Sequence, residues 1–125
     1  MLDHISIGVR DLAAARRFYD AVFAPLGYRC LYEGDGYAGY GDSEPEFWLN
    51  TTARPVPADP ESGLHISLVA PSRAAVAAFH AAALAAGGAD NGPPGLRPHY
   101  GDSYFAAFII DPDGYRIEAH TGSAD

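Results

Sequence analysis

From Asp3 to Val9 apolar and polar residues alternate, so that Ile5, Ile7 and Val9 share one face of an extended strand while His4, Ser6 and Gly8 share the other. The period then changes. Leu12, Ala15, Phe18, Tyr19, Val22 and Phe23 recur at helical spacing behind Asp11, a residue suited to an N-cap, and Pro25 and Gly27 end the run. The same grammar returns in the second half. A strand-like stretch from Leu64 to Ala70 leads to a helix capped by Ser72, with Val76, Phe79, Ala83 and Leu84 on its apolar stripe and Gly87-Gly88 as the stop. Short strand-like runs follow each helix. They cover Tyr28 to Glu33, Tyr37 to Tyr40 and Glu46 to Thr51, then a weak run near Ala89, Tyr104 to Ile110 and Tyr115 to Thr121. The last two are joined by Asp111-Pro112-Asp113-Gly114, a strong hairpin turn.

This recurrence is an internal repeat, and a repeat decides architecture before local propensity does. His4, Ile5, Ser6, Phe18 and Gly27 fall on His65, Ile66, Ser67, Phe79 and Gly88 at an offset of 61. The closing strands align at an offset of 70, which sets Trp48 opposite Glu118 and leaves nine extra residues in the second copy. The Pro/Gly-rich stretch from Asn91 to Asp102 accommodates them as a surface loop. The expected fold is therefore α+β, with two βαβββ modules forming a curved mixed sheet cup and the helices on its outer face. One domain spans 1–125, with module one about 1–54, a proline-containing linker 55–63 and module two about 64–121.

Composition narrows the function. Hydrophobic residues make up 48% and charged residues 19% of the chain, as expected of a folded domain. Net charge is −8, and all eight basic residues are arginine. Such a surface repels phosphate, which argues against nucleic-acid partners, and the absence of lysine excludes Schiff-base chemistry. No apolar run reaches the roughly 18 residues of a membrane span. The single cysteine, Cys30, forms no intrachain disulfide and no leader pattern precedes Ile5, so a cytoplasmic location is expected.

The repeat also points to chemistry. His4 and His65 begin equivalent strands, and Glu118 lies between Ile117 and Ala119 in an otherwise apolar final strand. A pseudo-two-fold arrangement brings two imidazoles and one carboxylate together, a ligand set for Fe, Mn, Ni or Zn that leaves positions open for water or substrate. The competing reading of each strand histidine is a satisfied core or interface residue. His120 shares the face of Glu118 and is a candidate acid-base group, or a solvated residue near the terminus. Tyr104 is placed to donate a hydrogen bond to a ligand oxygen, or to pack at the rim. Arg97, His99 and Tyr100 sit in the proline-rich segment and suit a pocket cover, or a plain connector.

These residues carry a resemblance. The opening DHISIGVRDLAAARRFYDAVFAPLGY, the second His-Ile-Ser start and the closing DPDGYRIEAH resemble the vicinal oxygen chelate superfamily, which includes glyoxalase I, extradiol dioxygenases, methylmalonyl-CoA epimerase and the fosfomycin and bleomycin resistance proteins. The resemblance covers nearly the whole chain. It implies a cup around a divalent metal, with His4, His65 and Glu118 in three of four ligand positions. The fourth departs from the glyoxalase I pattern, because Trp48 stands where that enzyme has a carboxylate and an indole neither binds metal nor acts as base. Glu46, two residues earlier on the same strand face, is a candidate substitute for that base, or simply an exposed carboxylate at a strand start.

Two main functions follow. One is a divalent-metal-dependent enzyme of the glyoxalase or dioxygenase type, acting on a small oxygen-chelating substrate, with reaction type open among isomerisation, dioxygenation and group transfer. The other is a metal-free sequestering protein of the bleomycin-resistance type, holding a planar or cationic compound in a cup lined by Trp48, Tyr104 and Phe108. A regulatory or structural dimer is a third class. In each case open sheet edges favour a homodimer, with modules pairing within or between chains.

Overall fold

Alternation in DHISIGV becomes strand β1, Ile5–Val9, with Ile7 and Val9 buried against the helix layer. Helix α1, Leu12–Phe23, follows because Asp11 caps it, its carboxylate accepting the Ala14 N–H at 3.0 Å. A short 3-10 turn, Ala24–Leu26, closes on Gly27 at φ 85°, a left-handed conformation that glycine adopts without strain. Then come β2 (Arg29–Gly34), β3 (Tyr37–Gly41) and β4 (Pro45–Thr51). The second module repeats the order with β5 (Ile66–Val69), α2 (Arg73–Ala85), β6 (Ala89–Leu96), β7 (Phe105–Ile110) and β8 (Arg116–Thr121). Ser72 caps α2 by accepting from the Ala75 N–H at 3.1 Å. These elements belong to a computed structural model, which describes residues 1–57 and 59–125; Ala58, in the linker, lies outside the described residues.

The cup of two βαβββ modules is realised as two four-stranded mixed sheets, ordered β1-β4-β3-β2 and β5-β8-β7-β6. In each, the first strand runs parallel to the last and lies at an edge. The two helices pack against each other, and one continuous core draws on both modules, from Val9, Phe18, Phe23 and Leu49 to Val76, Phe79, Ile109 and Ile117. Among the described residues no helix is long and apolar enough to cross a membrane.

Register confirms the pairing inferred from the two offsets. Ser6 lies opposite Trp48 in the first sheet and Ser67 opposite Glu118 in the second, so Trp48 and Glu118 are equivalent positions. Phe47 and Leu49 are buried while Trp48 points to the other face, as the strand phase requires.

Three local expectations are corrected. Leu84 is not on the buried stripe of α2 but 44% exposed; His80 takes a buried place instead, its ring 2.8 Å from the Asp90 carboxylate. The stretch Asn91 to Asp102 is not wholly a loop. Its first half is β6, an edge strand in which Pro93 and Pro94 are tolerated because bulges between Asp90 and Gly92 and between Gly92 and Gly95 set them out of the ladder. Strands β1 and β5 each begin one residue after the histidine expected within them, which leaves His4 and His65 as lead-in residues.

Candidate active site

Glu118 is 2% exposed, on the cup face of the central strand β8. A carboxylate so deep needs partners. Tyr104, just before β7, donates its hydroxyl to Glu118 Oε2 at 2.6 Å, and His65 Nε2 lies 3.1 Å from Oε1. Burial, reinforced by that carboxylate, pushes the Tyr104 phenol up to about 12, so it remains a donor at neutral pH. Around this pair the structure gathers most of the module-two candidates. His120 stacks on Tyr104 with centroids 4.0 Å apart, Tyr100 meets Tyr104 edge-on at 5.2 Å, and His99 lies 4.2 Å from Tyr100. Phe108, opposite Glu118 in the ladder, approaches the His65 ring at 6.2 Å.

Arg97 is held over Phe108 at 5.3 Å, and its guanidinium donates to the carbonyls of Gly95 (2.9 Å) and Pro93 (2.8 Å). Its backbone N–H closes the loop by donating to the Tyr104 carbonyl at 2.7 Å. The segment is thus a fastened rim that presents Tyr100, and Arg97 acts first as its brace.

Module one carries the remaining candidates. His4, Glu46 and Trp48 line one open recess together with Leu2, Asp3 and Glu44. The expected convergence of His4 with His65 and Glu118 within one chain does not occur: among the described residues no three His, Cys, Asp or Glu side chains form a metal-holding group. His4 instead pairs with Asp3, its Nδ1 lying 2.7 Å from the carboxylate. The cause is the packing of the modules through their helices, which keeps the strand-start histidines apart. A cleft of about 220 Å³ separates the start of β1 from β5, bounded by Phe23, Tyr28 and Phe47.

Sequence reasoning missed Tyr32 and Tyr37. Tyr32 stacks on Trp48 and Tyr37 tilts against it, each at a centroid distance of 6.2 Å. A bulge between Cys30 and Tyr32 shifts the phase of β2, so simple alternation gives no signal for this face. Gly39, directly opposite Trp48, was the available clue: a Cβ there would stand 2.6 Å from the indole ring.

What can this arrangement hold? Two ligands of a common ion at about 2.1 Å, in adjacent positions, lie roughly 3.0–3.4 Å apart. The His65–Glu118 separation of 3.1 Å matches that spacing, and the Tyr104 hydroxyl occupies the far carboxylate oxygen, which leaves the near one available. The donor set therefore fits a divalent first-row metal, with His65 and Glu118 as a preformed half-site.

Comparisons with known proteins show the family. The model of the Glyoxalase/Bleomycin resistance protein/Dioxygenase superfamily matches residues 1–119. Among solved structures, a glyoxalase/bleomycin resistance protein from Albidiferax ferrireducens is 31% identical at a TM-score of 0.85, covering 96% of this chain and 98% of its own. A glyoxalase-related enzyme from Fulvimarina pelagi is 25% identical at 0.69, over 96% of this chain and 86% of its own. The fosfomycin resistance protein FosX from Listeria monocytogenes, solved with Mn(II) and 1S,2S-dihydroxypropylphosphonic acid, shares the fold at 0.71 with 17% identity, over 99% and 91%. No curated protein matches the chain. With the family model spanning nearly its whole length, the chain belongs to the glyoxalase/bleomycin resistance protein/dioxygenase superfamily.

Proposed function

We propose that this protein is a divalent-metal-dependent enzyme acting on a small substrate with neighbouring oxygens, its metal held by His65 and Glu118 of one chain and by His4 of the partner subunit in a homodimer. The observation that carries this reading is the buried Glu118, aligned by Tyr104 and 3.1 Å from His65 Nε2. A buried carboxylate with one oxygen anchored and the other facing an imidazole is a costly arrangement to retain for packing alone. His4 has a partner of the kind that orients a ligating imidazole, since its Nδ1 lies 2.7 Å from the Asp3 carboxylate, and Nε2 would be the ligand atom. The edges of β1 and β5 lack strand partners among the described residues, so a second copy has two places to dock and to supply the missing imidazole.

A metal bound there would act as a Lewis acid on the substrate oxygens. The chain's own residues do the rest. Tyr104 fixes the carboxylate and, with its proton held at neutral pH, supplies a hydrogen bond. His120, stacked on Tyr104, is the candidate acid-base group beside it. Glu46, exposed on β4, is a second base candidate in the module-one recess beside His4 and Trp48.

Elemental analysis of protein purified without a chelating column tests the reading. One first-row dication per chain is expected, and His4→Ala and His65→Ala should each abolish it while the fold persists. Full metal content in both variants would overturn the assignment. A sequestering role is favoured by a different observation, the exposed aromatic strip around Trp48; the metal-free wild type binding its ligand at full strength would support that role.

A further inference from the structure

The chain carries two side-chain amides, Asn50 and Asn91, and no glutamine. Asparagine is thermolabile because the backbone nitrogen of the next residue can attack its side-chain carbonyl carbon, so the residue that follows governs the rate. Asn50 precedes Thr51, whose branched Cβ crowds that nitrogen, whereas Asn91 precedes Gly92, which has no Cβ. The fold requires glycine there. Gly92 has φ 148°, and a Cβ on it would stand 3.0 Å from the Phe108 ring and 3.2 Å from the Arg97 guanidinium.

The structure leaves Asn91 open to that chemistry. Strand β6 is an edge of its sheet, and its ladder steps from Asp90, opposite Ile109, directly to Gly92, opposite Phe108. Asn91 is therefore the extra residue of the bulge, exposed and without a partner in β7. One contact opposes the reaction. The Gly92 N–H donates to Asp90 Oδ1 at 2.9 Å, and the Nε2 of His80, buried on α2, lies 2.8 Å from the same oxygen. To attack, the Gly92 nitrogen must give up that proton, and a carboxylate in contact with it disfavours the amide anion that results.

We infer that Asn91–Gly92 is a site of spontaneous deamidation and that the His80–Asp90 pair is the clamp that slows it. In the first step a bond forms between the Gly92 nitrogen and Asn91 Cγ, the Cγ–Nδ2 bond breaks, and ammonia leaves with the proton from Gly92. Water then opens the cyclic imide at either carbonyl. Opening at Cγ restores the main chain and gives aspartate; opening at the main-chain carbonyl of residue 91 gives isoaspartate. Both products place a carboxylate at the bulge, and isoaspartate also lengthens the main chain by one methylene. Since Gly92 packs against Phe108 and Arg97, the change falls where β6 meets the rim of the candidate site. This inference is independent of the metal reading.

In the test, the folded full chain is incubated in mildly alkaline buffer beside the same chain unfolded in guanidinium chloride. Peptide mass spectrometry follows the amide-to-acid mass gain at each asparagine, and circular dichroism reports the fold. Conversion should appear at Asn91 and not at Asn50 in the folded wild type, more slowly than in the unfolded chain. Asp90→Ala, at an exposed edge position, should speed it by about tenfold, the factor that one hydrogen bond to a charged group corresponds to. His80→Leu, which leaves the Asp90 carboxylate unheld, should speed it by less, and it carries the same comparison if Asp90→Ala loses its fold. Asn91 left intact in the folded variants under conditions that convert the unfolded chain would overturn the site. Conversion in both variants at the wild-type rate would overturn the clamp.

Discussion

Glu118 and Trp48 occupy one position in two copies of the same fold, a carboxylate in one sheet and an indole in the other. In the proposed metal site, Tyr104 is the residue that aligns the carboxylate. Replacing it with Phe keeps the ring that stacks on His120 but removes the 2.6 Å hydrogen bond to Glu118. Partners that orient a ligand typically account for about 10–100-fold in metal affinity, so Tyr104→Phe should weaken Mn(II) binding by roughly that factor with thermal stability little changed. Competitive titration with a fluorescent chelator measures it; an unchanged affinity would mean that Glu118 needs no alignment. The shared face of Glu118 and His120 was legible because both sit in β8, where strict alternation fixes the face, whereas His65 and Tyr104 each stand one residue before a strand and were legible only from the repeat and from their place at a strand start. The sequence did not reveal the separation of His4 from them, because no periodicity within one chain says how two modules are set against each other.

At the scale of elements, most of the fold was legible from caps, turns and period. Asp11, Ser72 and the Asp111-Pro112-Asp113-Gly114 turn all act as their chemistry predicts. Asp111 does more than turn the chain. It is buried, accepts from the backbone N–H of Asp113 and Tyr115, and receives the Tyr19 hydroxyl at 2.5 Å, tying the β7–β8 turn to α1 across the module boundary. Asp111→Ala leaves those donors unpaired in the core and should destabilise the protein by about 2–4 kcal/mol, as chemical denaturation will show. A loss below about 1 kcal/mol would mean that water replaces the carboxylate. Strand β6 was illegible for the opposite reason, since two prolines and two bulges erase its alternation. It is tied to α2 by the contact between His80 and Asp90, whose carboxylate the histidine and the Gly92 N–H hold below its usual range. A depressed carboxylate contributes stability above its unfolded pKa of about 3.9 and loses it as pH falls through the lower folded value. Between pH 5 and pH 2 the wild type should therefore lose more stability than Asp90→Asn; parallel acid titration curves would show that the contact adds nothing.

For the whole molecule, the arrangement that matters is the one a single chain leaves unfinished. His65 and Glu118 are paired, His4 stands elsewhere, and both edges on which the histidines lie lack strand partners among the described residues. If the partner subunit completes each site, a two-fold dimer holds two sites, each taking His4 from one chain and His65 with Glu118 from the other. This has a consequence that no intrachain site shares. His4→Ala homodimers lack the first imidazole in both sites, and Glu118→Ala homodimers lack the carboxylate in both, so neither preparation should bind metal stoichiometrically. When the two are unfolded together and refolded as an equal mixture, about half of the dimers combine one chain of each kind. In such a dimer one site collects both substitutions, while the other receives the intact His4 of the Glu118→Ala chain and the intact His65 and Glu118 of the His4→Ala chain. Random assembly thus restores about one quarter of the wild-type sites. Metal content rising to about one quarter on mixing would establish the shared site. Metal content remaining at the level of the separate variants, in a mixture that light scattering shows to be dimeric, would place His4 outside the metal site and leave Glu118 and His65 to find their third ligand elsewhere.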